Sequence, residues 1–76
     1  MPSSIKLRQM KDRQRSIEDE VTRLEVEIAD FEQALSHYQS ADQSIEIASL
    51  LESRRADMTQ LLAEWEEVSA AIDANR

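Results

Sequence analysis

Glycine and cysteine are absent from this chain, and its only proline is Pro2. Each absence removes a class of structure. Without cysteine no disulfide can staple the fold and no thiolate can hold a metal ion. Without glycine there is no phosphate-cradling loop, and the tight turns of barrels and doubly wound sheets lose their usual residue. With no proline after Pro2, nothing downstream interrupts a helix. Aromatic residues make up only 4% of the chain, as Phe31, Tyr38 and Trp65, and His37 is the sole histidine. No segment approaches the run of about 20 apolar residues that a bilayer span requires. The N-terminus also lacks the apolar core of a signal peptide, so the expectation is a soluble, cytoplasmic segment without membrane contact.

What remains over 76 residues is 41% hydrophobic and 33% charged. Abundant charge combined with Leu, Ile, Ala and Met is the composition of long amphipathic helices. Two tracts carry the alternating three- and four-residue spacing of a coiled-coil seam. The first is Leu7, Met10, Gln14, Ile17, Val21, Leu24, Ile28, Phe31, Leu35 and Tyr38. The second is Ile47, Leu51, Arg54, Met58, Leu61, Trp65, Val68 and Ile72. Only Gln14 and Arg54 interrupt the apolar character of these stripes.

Between the tracts the step from Tyr38 to Ile47 spans 9 residues, which fits neither seven nor a three/four step. The register breaks there, across a polar run where Ser40 followed by Gln43, or Ser44 followed by Glu46, can start a helix. Two apolar tracts separated by such a break predict an all-α, two-helix antiparallel coiled-coil hairpin. The expected layout is a single domain over 1–76. It comprises a linker remnant at 1–5, a first arm at 6–38, a turn at 39–44 and a second arm at 45–74. Facing positions are then expected to sum to about 84 to 86. That sets Ile17 and Val21 against the Trp65 region, Ile28 near Met58 and Phe31 near Arg54, with Leu7 and Met10 fraying at or beyond the far end. A single continuous helix in a parallel dimer is the rival, and the register break disfavours it. Leu50, Leu62 and Ile45 flank the second seam and leave open a homodimeric four-helix bundle.

Charge is unevenly spread. Residues 1–16 hold Lys6, Arg8, Lys11, Arg13 and Arg15 against Asp12 alone, a balance of +4. The remaining residues carry 4 basic and 15 acidic side chains, −11, within an overall −7. A cationic end attracts phosphate backbones while an anionic shaft repels them. Lys6, Arg8, Lys11, Arg13 and Arg15 are therefore the candidate nucleic-acid contacts. The alternative is a merely solvated face, with Arg13 and Arg15 pairing to Glu66, Glu67 or Asp73. Arg54 is expected to snorkel from the seam or to pair with Glu32 or Asp30. Gln14 is expected to help fix register, and Trp65 to pack in the core rather than offer a stacking platform.

Little points to catalysis. His37 has no second ligand at metal-site spacing, and its expected place is near the end of the first helix. Glu64, Glu66 and Glu67 flank Trp65, but paired carboxylates do chemistry only where a cleft shifts their pKa values. The expectation is a non-enzyme with no cofactor and no metal.

Three segments together resemble the C-terminal coiled-coil domain of bacterial ABC-F ATPases. Residues 5–16, IKLRQMKDRQRS, look like the basic lead-in that follows the second ATPase domain. Residues 17–35, IEDEVTRLEVEIADFEQAL, are similar to the first arm. Residues 50–69 contain Arg54-Arg55-Ala56-Asp57 and end in LLAEWEEVS, where the Leu-x-x-x-Trp-Glu-Glu-Val pattern of Leu61 to Val68 is the most specific piece. The resemblance implies a cytoplasmic appendage of a two-cassette ATPase acting in translation, with DNA or ribosomal RNA, or the ATPase domains of the same polypeptide, as partners. Both Walker motifs and the ABC signature are missing here, so no ATP hydrolysis carries over. Pro2, Ser3 and Ser4 after Met1 fit a boundary within a linker, with a free-standing gene product as the alternative. The −11 body departs from what a general DNA binder would show.

Overall fold

The computed structural model describes residues 4–37 and 40–75. Two helices, α1 (Ser4–Leu35) and α2 (Ala41–Ala74), fold back on one another as a hairpin, with no strand among the described residues. The molecule is a rod of 57 × 14 × 14 Å. Helices of 32 and 34 residues account for that length at about 1.5 Å per residue.

The second arm begins at Ala41, four residues before the expected 45, and the first ends at Leu35, before the expected 38. The reason is the cap. Ser40 is extended, its hydroxyl accepts the Gln43 N–H at 3.2 Å, and its own N–H donates to Gln43 Oε1 at 3.3 Å. This reciprocal capping box satisfies two otherwise orphaned donors at the helix start. Asp42 follows in the first turn, where the helix dipole favours an anion. Of the two candidate starts, Ser40 with Gln43 is the one used.

The first helix closes without glycine. The Ser36 N–H is shared between the carbonyls of Glu32 and Gln33, the His37 N–H reaches Ala34 O, and the Ser36 hydroxyl donates to Gln33 O at 2.6 Å. Tightened bonds and a serine hydroxyl satisfy the last carbonyls, and no described residue adopts a positive φ. Tyr38, the last expected seam residue, and Gln39 lie outside the described residues, as does the expected linker remnant up to Ser3.

All other seam positions are sheltered. Ile17, Leu51 and Ile72 are buried, and the remaining seam residues, Gln14 and Arg54 included, are half-buried. Ile17 is fully enclosed. A two-helix interface leaves most seam residues with one open flank, so the core is thin.

The register differs slightly from expectation. Arg13 lies beside Glu64, Gln14 beside Ser69, Arg54 beside Glu27 and Arg55 beside Glu32. Those partner numbers sum to 77, 83, 81 and 87, centred on 82 rather than 84 to 86. Ile17 is therefore level with Trp65, Leu24 with Met58, Ile28 with Arg54 and Phe31 with Leu51. Met10 is level with Ile72, which is 3% exposed, so the open end is packed where fraying was expected. Relative to expectation, α2 is shifted along α1 toward the open end by less than one helical turn.

Candidate nucleic-acid interface at the open end

The five basic residues of the first four turns do not form one patch. At 3.6 residues per turn, Arg8, Lys11 and Arg15 fall within about 60° of arc. Lys6 and Arg13 fall together on the opposite flank of the seam. All five are exposed.

The two flanks are electrostatically different. Arg13 grips Glu64 in a bidentate pair, with Nε donating to Oε1 at 2.8 Å and Nη2 to Oε2 at 2.7 Å. The hydrogen bond to Glu64 raises the Arg13 pKa from its ordinary value, and the same bond lowers that of Glu64, with burial opposing both. This corrects the expected pairing of Arg13 with Glu66, Glu67 or Asp73. Positions 13 and 64 each precede a seam residue by one, and in antiparallel coils such positions meet across the interface. Lys6 stands in the first turn of α1, where the helix dipole disfavours a cation, so helix stability does not explain its presence.

On the other flank, Arg8, Lys11 and Arg15 take no part in an ion pair among the described residues. Their stripe borders an open groove at the base of the hairpin. Lys11, Gln14, Arg15 and Glu18 line it from α1, and Trp65, Ser69, Ile72 and Asp73 from α2. Gln14 Nε2 donates to Ser69 Oγ at 2.9 Å within that groove. Trp65 is half-buried at its seam position. Its indole Nε1 is shielded from solvent and has no acceptor among the described residues. A shielded indole edge matches core packing.

A larger groove runs along the middle of the shaft, floored by Leu24 and Leu61 and edged by Glu20, Glu27, Asp57 and Glu64 with Arg23. Its rim repels phosphate. Arg54, half-buried in the seam, sends its guanidinium out to Glu27 at 3.3 Å instead of Glu32 or Asp30, because the register sits three positions from the expected one. Glu32 pairs with Arg55 at 3.5 Å. His37 is exposed just past the end of α1. Among the described residues, no three His, Asp or Glu side chains gather as metal ligands would. Among the described residues, no helix is long and apolar enough to cross a membrane.

No protein-family model matches the chain, and no curated protein or solved structure matches it.

Proposed function

We propose that this hairpin is a non-catalytic, cytoplasmic coiled-coil appendage of the ABC-F kind, contacting DNA or ribosomal RNA through Arg8, Lys11 and Arg15. The observation that carries the reading is the stripe itself. Three long cations share one face at the open end and are not engaged by carboxylates, whereas Arg13 is held by Glu64. Phosphate contacts need exposed, uncommitted cations at a spacing that tracks a backbone. The acidic remainder restricts contact to that end, so the hairpin meets its partner end-on rather than along the shaft. Pattern likeness over residues 5–35 and 50–69 supports the family reading.

A second reading is docking through protein contacts, as on the ATPase domains of the same polypeptide. It is favoured by exposed apolar side chains on α2, Ile45 and Leu62 above all.

Fluorescence anisotropy with ribosomes and with duplex and branched DNA tests the first reading. Saturable binding lost in an Arg8→Gln/Lys11→Gln/Arg15→Gln variant, but kept in Lys6→Gln/Arg13→Gln, is the expected result. Equal loss in both variants would show only a general charge effect, and absent binding at low salt with an intact helical spectrum removes the reading.

A further inference from the structure

The basic stripe accounts for the start of α1 and leaves the outward face of α2 without a role. Outside its seam, α2 carries a second run of alternating three- and four-residue steps, from Ile45 and Ala48 through Thr59 and Leu62. Ile45 is 68% exposed and Leu62 46%, so the hairpin leaves both open to solvent. Ala56 and Ala63, also exposed, leave room beside Leu62 for another backbone to approach. The remaining members of the run are charged and of both signs: Glu52, Arg55 and Glu66.

The geometry points to a second copy of this chain, packed antiparallel on the outward face of α2 to give a four-helix assembly. Charge selects the occupant. A partner helix of one sign meets a like charge either at Arg55 or at Glu52 and Glu66, whereas this face is complementary to itself. A two-fold axis beside residues 59–62 sets Leu62 level with the partner's Thr59 and Arg55 level with the partner's Glu66. A parallel arrangement would instead stack Glu52 on Glu52 and Arg55 on Arg55, which is destabilising. The Arg55–Glu32 pair is long at 3.5 Å and more than half exposed, so Arg55 can turn to the partner at little loss.

Sedimentation equilibrium of the chain across the micromolar range, without nucleic acid, tests this apart from any phosphate contact. The expected result is a concentration-dependent approach to twice the chain mass. Leu62→Arg and, separately, Ala63→Arg weaken association at least about tenfold, while Val26→Arg on α1 leaves it unchanged. Because the chain has no cysteine, single replacements report orientation: Thr59→Cys forms a self-cross-link and Ile45→Cys does not. A chain that stays monomeric throughout, or a dimer indifferent to both α2 variants while they remain helical, overturns the proposal. Self-cross-linking through Ile45→Cys with none through Thr59→Cys overturns the antiparallel packing.

Discussion

Gln14 donates to Ser69 Oγ at 2.9 Å across the seam, a polar tie between the two arms in an otherwise mainly apolar interface. Polar pairs inside coiled coils restrict register because slipping either helix leaves a half-buried amide without its partner. The coupling between the two side chains, measured as a double-mutant cycle with Gln14→Ala and Ser69→Ala, is expected at about 0.5–1.5 kcal/mol. A coupling indistinguishable from zero would mean that the bond does not hold the arms in place. Gln14→Leu is expected to raise the thermal midpoint, since it adds an apolar side chain to the seam.

Among the described residues, Ile17 is the one side chain fully removed from water. Ile17→Ala is expected to cost about 2–5 kcal/mol, enough to abolish cooperative unfolding in a core this thin. Val26→Ala, at a site 59% exposed, is expected within about 0.5 kcal/mol of wild type. Thermal melts followed by circular dichroism separate the two, and similar losses in both would contradict the seam described here.

Ser40 sets where α2 begins. Ser40→Ala removes the acceptor for the Gln43 N–H and is expected to cost about 1 kcal/mol. Ser44→Ala is expected to do much less, because its N–H is already inside the helix, bonded to Ser40 O. Equal effects would place the start of α2 elsewhere.

The Arg13–Glu64 pair gives a pH signature. The Glu64 carboxyl is held below its ordinary value in the folded state, so the pair contributes stability above the unfolded carboxylate pKa of about 4.3. That contribution is lost as pH falls through the folded value. Arg13→Gln is therefore expected to melt slightly below wild type at neutral pH, with the gap closing under acid conditions. A gap that persists in acid would assign the effect of Arg13 to packing.

The seam was legible in the sequence because its signal is repeated. Every described position from Leu7 to Leu35 and from Ile47 to Ile72 named by spacing is sheltered. The turn was less so. Ser40 and Ser44 present nearly the same capping pattern, and only the hydrogen bonds of the folded chain choose Ser40. Errors at the turn then propagate along both arms, which is why Arg54 was assigned the wrong acid and Arg13 was missed as the partner of Glu64. Matching residues one position before the seam on each arm, Arg13 with Glu64, carried that signal. The division of the basic cluster into a committed and an uncommitted flank needed helical phase as well as composition.

The salt dependence of nucleic-acid binding tests the central claim most directly. Each phosphate neutralised contributes a slope of about −0.9 in log K against log salt on duplex DNA. Replacing Arg8, Lys11 and Arg15 with Gln is expected to flatten the slope by about two to three while Lys6→Gln/Arg13→Gln flattens it less. A slope unchanged by the triple replacement, or no measurable binding at low salt by a fully helical chain, would contradict the assignment of this stripe as the contact.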